Sequence, residues 1–257
     1  MRYLLALTLF VLSSAPRPTA ADDFQWHGSI APGHSIEIKG INGDIRAEPS
    51  GSNEVEVTAI KRANRDDPGS VRIEVVPNGG NVTICAVYPS QDSSQPNVCQ
   101  PGDRGRMNAQ NNDVQVGFTV HVPAGVVFIG KTVNGGVDAS RLNGDVVLNT
   151  VNGSLTFSTT GEARAKTVNG SIRGVMGQAN WTGALQISTV NGGITLSLPG
   201  DLNTEVKITT VNGDIKSEFP VTTTVISRRK LEGTIGAGGR VLTLNTVNGN
   251  VALKTAR

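Results

Sequence analysis

The sequence predicts an all-β protein. More specifically, it predicts a β-solenoid of the β-helix kind, with two-sided turns of about 16–22 residues and an N-terminal half whose turns are wider and less regular. Three observations predict this. The tetrapeptide Thr-Val-Asn-Gly opens at Thr132, Thr150, Thr167, Thr189, Thr210 and Thr246, a period near 20 that marks a repeat architecture. Between the copies, segments such as Leu185–Thr189, Ile194–Leu198 and Val206–Thr210 alternate aliphatic with polar residues and are rich in Val, Ile and Thr, as half-buried strands are. No segment beyond residue 21 carries a helical period with caps.

Taken in chain order, residues 1–21 have the form of a signal peptide. Arg2 supplies the positive start, Leu4 to Leu12 the apolar core and Thr19-Ala20-Ala21 the small-residue cleavage site. The apolar run falls short of the ~20 residues that span a bilayer, and no later stretch reaches that length. The mature chain, residues 22–257, is therefore expected to be a single exported domain without a transmembrane segment, located in the periplasm, in the cell envelope or outside the cell. The chain has 23 basic and 21 acidic residues, and Arg2 and Arg17 leave with the signal, so 23 − 2 = 21 basic residues balance 21 acidic ones. That balance gives no electrostatic case for nucleic acid as a partner.

Residues 22–130 form the irregular half. IEIKGINGDIRAE contains one corner, at Asn42-Gly43, and EVEVTAIKR, VRIEVVPNGGNVTICAVY and VQVGFTVHV are further strands. This half is expected to continue the stack with wider turns and to cover one end of the core; a separate β-sandwich is the alternative. Cys85 and Cys99 are the only cysteines, and in an oxidising compartment they are expected to pair, with two buried thiols or a metal pair as the other options. The polar stretch from Tyr88 to Asp113 is long for a compact domain, and loops of that length are usually functional or disordered.

Residues 131–257 carry the regular repeats. Asn-Gly between aliphatic residues marks corners at Asn134-Gly135, Asn143-Gly144, Asn152-Gly153, Asn169-Gly170, Asn191-Gly192, Asn212-Gly213 and Asn248-Gly249. Asn143 lies nine residues from both Asn134 and Asn152, so it belongs to the opposite edge of the same unit, with Gly161, Gly183 and Gly200 as similar half-period corners. LEGTI, with Glu232 in the Asn place, is taken as a degenerate copy filling the gap before Asn248. In a two-residue hairpin the residues before Asn and after Gly share a face. Here the aliphatic residues stand at −1 and +3 instead, as in Val151 and Leu155, which suggests a corner sending both inward. In such a stack Thr forms a ladder, Asn bonds its copies and Gly supplies the φ that other residues resist. Val247–Val251 is expected to be an exposed terminal turn with unpaired strand edges, where Lys254 and Arg257 discourage end-to-end association.

The repeated TVNG followed by a G/D/S-[IV] step, the VPAGV stretch at Val122 to Val126 and RRKLEGTIGAGG before the last copy together resemble the bacterial putative adhesin domain family of unknown function, related to the head-domain group with Gly-Ile-Asn motifs. The resemblance covers nearly the whole mature chain. It implies an exported or envelope-associated β-solenoid, supplies no catalytic residues and points to adhesion as the role.

The chemistry of the remaining residues agrees with a non-catalytic protein. An enzyme on a β-helix, a polysaccharide lyase or hydrolase, is the alternative and needs carboxylates gathered on one face. The candidates Asp44, Asp145 and Asp214 are too dispersed along the repeats to converge. His27, His34 and His121 lack metal-ligand spacing, and only GGVD and NGD approach a calcium-binding repeat, so neither metal nor cofactor is expected. Of the large aromatic residues, Trp26, Tyr88 and Trp181 could form sugar platforms, although Trp181 suits packing better. Arg228-Arg229-Lys230 reads as a solvated loop. Asn152 and Asn169 match the glycosylation pattern, but the repeat explains them without it. The expected function is that of an adhesin or envelope scaffold offering an extended β surface to a protein or glycan partner that the sequence does not identify.

Overall fold

The computed structural model describes residues 24–256, so the expected signal peptide lies outside the described residues. Two β-sheets, one of ten strands and one of eleven, face each other across a continuous apolar core that runs from Ile30 to Leu253, and a small second cluster of Cys85, Val87 and Cys99 lies outside it. Each turn of chain contributes one strand to each sheet, the first to the eleven-stranded sheet and the second to the ten-stranded one. In sequence order these pairs are β2 (Ser35–Lys39) with β3 (Ile45–Pro49), β6 (Asn81–Val87) with β7 (Gln115–Val122), β8 (Val127–Lys131) with β9 (Val137–Leu142) and β10 (Val146–Asn149) with β11 (Leu155–Thr159). They continue as β12 (Ala163–Lys166) with β13 (Ile172–Met176), β14 (Ala184–Ser188) with β15 (Ile194–Leu198), β16 (Thr204–Thr209) with β17 (Ile215–Ser217) and β20 (Val241–Asn245) with β21 (Val251–Thr255).

Alternation builds the core. In β11, Leu155, Phe157 and Thr159 are buried while Thr156 is exposed, and the parallel partner β13 sets Ile172 beside Leu155 and Gly174 beside Phe157. Gly174 is there for the ring: a Cβ on it would come within 2.1 Å of Phe157 Cζ. The aliphatic residues of successive turns therefore stack in register, each contributing about 1.5–3 kcal/mol on burial.

The order of turns in the stack is not the order in the sequence. At one end β2 sits between β6 and β8, and β3 between β7 and β9, so the first turn is enclosed by the second and third. At the other end β20 sits between β14 and β16, and β21 between β15 and β17, so the last turn is inserted beneath the one before it. Parallel pairing requires only that two extended segments meet in register; the long returns through residues 50–114 and 218–240 supply the reach.

Two expectations fail here. Val247–Val251 is not a terminal turn with free edges, because β21 pairs on both sides. LEGTI is not a corner of the stack either. It lies in β19 (Lys230–Ile235), antiparallel to both β16 and β18 (Thr222–Ile226). The physical cause is the turn before it: Ser227 N–H donates to Lys230 C=O at 2.8 Å, so Arg228-Arg229 form a tight hairpin that reverses the chain. Gly233 then lets β18 approach, since a Cβ there would meet Thr222 O at 2.4 Å.

The N-terminal half joins the same two sheets and is not a separate sandwich. β5 (Arg72–Asn78) pairs antiparallel with β6, β4 (Val55–Arg62) with β7 and β1 (Phe24–Gly28) with β4. The sheet edges are thus β1, β17, β5 and β18. Of these, β18 is exposed along all five residues, with Ile226 at 73%.

Candidate functional site

The repeated tetrapeptide forms one edge of the stack. In spatial order the corner asparagines are Asn42, Asn134, Asn152, Asn169, Asn191, Asn248 and Asn212, joined as a continuous parallel ladder. The Nδ2 of each donates to the Oδ1 of its neighbour: Asn134 to Asn42 at 2.9 Å, Asn152 to Asn134, Asn169 to Asn152 and Asn191 to Asn169 at 2.8 Å, Asn248 to Asn191 at 2.7 Å and Asn212 to Asn248 at 2.8 Å. All six bonds run the same way, so interior amides both give and accept.

Threonine braces the inside of that edge. Thr132, Thr150, Thr167, Thr189, Thr246 and Thr210 are all buried, 1–6% exposed. Their hydroxyls donate to the carbonyls of Gly43, Gly135, Gly153, Gly170, Gly192 and Gly249 on the adjacent turn at 2.8–3.2 Å. A carbonyl at a buried corner would otherwise be left without a donor.

This arrangement corrects the expected parity. The residue at −1 does not point inward in the repeats: Val151, Val190, Val211 and Val247 are 38–51% exposed, and Val133 and Val168 are half-buried. Thr at −2 takes the inward place because its hydroxyl is needed there, and strand alternation then turns Val outward into a row along the edge. Only Ile41 and Leu142 follow the expected pattern. Positions −2 and +3 would share a face in a hairpin as well, so parity does not separate the two architectures; the parallel pairing does.

Glycine also has a different reason from the expected one. Of the ladder glycines, only Gly43 lies in the left-handed region, with φ 123°. The rest are required by close approach: a Cβ on Gly135, Gly153, Gly170, Gly192, Gly249 or Gly213 would stand 1.9–2.1 Å from the glycine carbonyl oxygen of the adjacent turn. Where the chain does turn a hairpin, between β5 and β6, Gly79 and Gly80 adopt φ of 55° and 85°.

On the opposite edge, Asn143 Oδ1 accepts from Thr160 Oγ1 at 2.6 Å, and Gly125 N–H donates to Asn143 C=O at 2.6 Å. The carboxylates weighed for catalysis are each held by a neighbour. Asp44 accepts from Gly136 N–H at 2.7 Å, Asp145 accepts from Glu162 N–H at 2.7 Å, and Asp214 pairs with Arg228 at 3.2 Å. Asp44 and Asp214 stand at opposite ends of one column, six strand spacings or roughly 29 Å apart, while Asp145 is on the other edge. Among the described residues no group of three or more His, Cys, Asp or Glu is placed to hold a metal.

A charged cluster that the sequence reading did not anticipate lies on the outer face of β2, β6 and β8. Cys85 and Cys99 form a disulfide that ties the polar stretch back over this face as a strap. Lys39, buried, donates to the carbonyls of Gln100, Gly102 and Arg104 at 2.9, 3.1 and 2.9 Å. Glu37, also buried, accepts from Thr83 Oγ1 and Gly102 N–H, and Lys131 bridges it to Asp103, both at 2.9 Å. Burial pulls the Lys39 ammonium below its usual range against the attraction of Glu37. Burial also acts on Lys131, but its contacts with Asp103 and Glu37 outweigh it and raise that group. The signal available in sequence was the charge at Glu37 and Lys39, two of the three outward positions of SIEIK, unusual beneath a loop.

The aromatic candidates are structural. Trp181 is buried, donates from Nε1 to Val241 C=O at 3.2 Å and carries the Arg240 guanidinium 5.5 Å from its ring centroid. Tyr88 is buried with its hydroxyl donating to Val114 C=O at 2.7 Å, and burial pushes its pKa up to about 12. Trp26 packs partly buried on β1. Of the histidines, His27 is exposed and His121 stands 3.8 Å from Glu56 at the surface. An open depression of about 650 Å³ is lined by Asn42, Asp44, Arg46, Arg62, Asp113 and Asn134 among others, with both charge signs interspersed. No helix among the described residues is long and apolar enough to cross a membrane.

The family model Toastrack DUF4097 matches residues 136–254. No curated protein matches the chain. Three crystal structures align with the chain. A putative cell adhesion protein from Clostridium sporogenes ATCC 15579 aligns with 10% identity and a TM-score of 0.48, covering 91% of this chain and 100% of the other. A putative adhesin from Bacteroides fragilis NCTC 9343 aligns with 14% identity and a TM-score of 0.32, covering 91% and 97%. A putative adhesin from Parabacteroides merdae ATCC 43184 aligns with 12% identity and a TM-score of 0.25, covering 91% and 96%.

Proposed function

We propose that the chain, whose residues 136–254 match the Toastrack DUF4097 family model, is a non-catalytic exported protein. Its mature part, residues 22–257, acts as one rigid unit, an adhesin or envelope scaffold presenting an extended β surface to an envelope or surface partner, protein or glycan. One observation carries this reading: the polar side chains that the repeat keeps are engaged with their own copies. Thr bonds the adjacent glycine carbonyl and Asn bonds the adjacent Asn, so the repeat serves rigidity and leaves recognition to the faces and end loops.

The alternative, a β-helical carbohydrate-active enzyme, needs two carboxylates within roughly 10 Å across a cleft. Asp44, Asp145 and Asp214 are too far apart for that, and Glu37 and Asp103, which are close, are bridged by Lys131 with Glu37 buried beneath the strap, which favours the binding role. Two assays test it. Residues 22–257 used as bait against native envelope fractions should retain a defined partner, and the same protein should release no reducing sugar from cell-wall polysaccharides. Sugar release would establish the enzyme; no retention, together with unchanged cell attachment on deletion, would leave a scaffold role alone.

A further inference from the structure

Asn-Gly is the dipeptide most open to deamidation, because glycine puts no side chain in the way of its own nitrogen. Once deprotonated, that nitrogen attacks the preceding Asn Cγ; the side-chain nitrogen leaves as ammonia, and water opens the resulting succinimide to aspartate or isoaspartate. The reaction needs only base and water. It does need a glycine nitrogen free to give up its proton and an Asn side chain free to fold back onto it.

The chain has nine Asn-Gly pairs: the eight corners and Asn78-Gly79. The stack divides them into two groups. Gly43, Gly135, Gly153, Gly170, Gly192 and Gly249 each donate their N–H to the Asn carbonyl of the next turn at 2.9–3.0 Å, and the Asn preceding each belongs to the side-chain ladder. For Gly79, Gly144 and Gly213 the N–H meets no protein acceptor among the described residues. Each has a topological cause. Gly79 is in the β5–β6 hairpin turn, Gly144 is on the edge without an Asn ladder, and Gly213 belongs to the last rung, with no further turn beyond it, although Asn212 still donates its side-chain amide to Asn248. Asn143 is exposed, and of its side-chain amide only Oδ1 is engaged.

We propose that Asn78 and Asn143 are the principal deamidation sites of the folded protein, that Asn212, with a free glycine N–H but a tethered side chain, is partly protected, and that the stack shields Asn42, Asn134, Asn152, Asn169, Asn191 and Asn248. The ladder is then a chemical safeguard as well as a brace, since reaction at a shielded corner must wait for that turn to open. Modification at Asn143 places a new carboxylate two residues from Asp145, on the edge facing away from the Asn ladder.

The test uses the wild-type protein with its disulfide intact. It is incubated at physiological temperature and mildly alkaline pH, folded or in concentrated urea, and aspartate and isoaspartate are mapped by peptide mass spectrometry. In urea all nine sites should react at comparable rates. In the folded sample Asn78 and Asn143 should keep most of their rate and Asn212 should fall between, while the six shielded sites slow by about tenfold or more, in proportion to the opening free energy of their turns. Equal slowing at all nine, or product at the six shielded corners matching that at Asn143, would overturn the assignment. Asn143→Gln, at an exposed position, should remove its own product and leave the other eight unchanged.

Discussion

Asn248 donates its side-chain amide to Asn191 at 2.7 Å although 57 residues separate them, and the intervening corner, Asn212, lies on the far side of Asn248. The last turn of the chain is therefore an internal layer. Deleting residues 241–257 should leave β14 and β15 unpaired on one side and part β16 and β17 from the stack. We expect loss of the cooperative melt, with proteolytic cleavage first in residues 199–240. A truncated protein melting as wild type would contradict the insertion.

Gly170→Ala should destabilise strongly, because its Cβ would stand 1.9 Å from Gly153 O between two paired turns. Overpacking costs about 1–3 kcal/mol where side chains can shift, and a backbone carbonyl held in a ladder shifts less easily. Gly51→Ala, with nothing within 4 Å and no positive φ, is the control and should fall within about 0.5 kcal/mol of wild type. Urea midpoints of the two variants decide the matter.

Thr167→Val keeps shape and removes the hydroxyl that reaches Gly153 C=O at 2.9 Å. Leaving that part-buried acceptor without its donor costs up to about 1–3 kcal/mol. Thr167→Ser retains the donor and should recover most of the loss in chemical denaturation. If Val were as stable as Thr, the inward place of Thr would have to be ascribed to packing alone.

Tyr88 sets a limit at alkaline pH. Its pKa is raised from 10.0 to about 12 by burial, so the neutral phenol is favoured in the folded state. A raised folded pKa gives stability that is complete below pH 10 and is lost as pH climbs from 10 towards 12. The shift corresponds to at most about 2–3 kcal/mol. Tyr88→Phe should be less stable at neutral pH by about 1 kcal/mol, for the lost bond to Val114, and should show a smaller decline across that alkaline window. Equal slopes in pH-dependent denaturation would remove Tyr88 as the cause.

The disulfide holds the strap and not the stack. Cys85 lies in β6, Cys99 in the strap, and the sequence separation is 14, so loop closure contributes up to about 3 kcal/mol. Replacing both cysteines by Ala should open residues 88–113 to protease before any other segment while the sheet signal in circular dichroism persists. Simultaneous loss of both would mean that the strap and the core fold as one unit.

The all-β repeat was legible because aliphatic alternation and the TVNG period are local properties. Stack order was not. Nothing in the residues of β21 states that it pairs with β15 and β17, since parallel register is specified by apolar residues that every turn shares. The orientation of Thr150 and Val151 was misjudged because hydropathy alone puts Val inside; the deciding term was a hydrogen bond to Gly135 on another turn. LEGTI looked like a corner because Leu231 and Ile235 carry the right spacing, while the Arg228-Arg229 reversal that makes it a hairpin strand carries no Gly, Asn or Asp to mark a turn in the sequence. The Lys39–Glu37 cluster was hidden because it exists only when the strap closes over it.

The insertion of the last turn is tested most directly by cross-linking the outward valines. Neighbouring strands lie ~4.8 Å apart, within disulfide reach, and next-nearest ones do not. Val190→Cys with Val247→Cys, and Val247→Cys with Val211→Cys, should each form a bridge under mild oxidation, while Val190→Cys with Val211→Cys should stay reduced. A bridge between positions 190 and 211, with none from either to 247, would contradict the interleaved stack and restore a stack in sequence order.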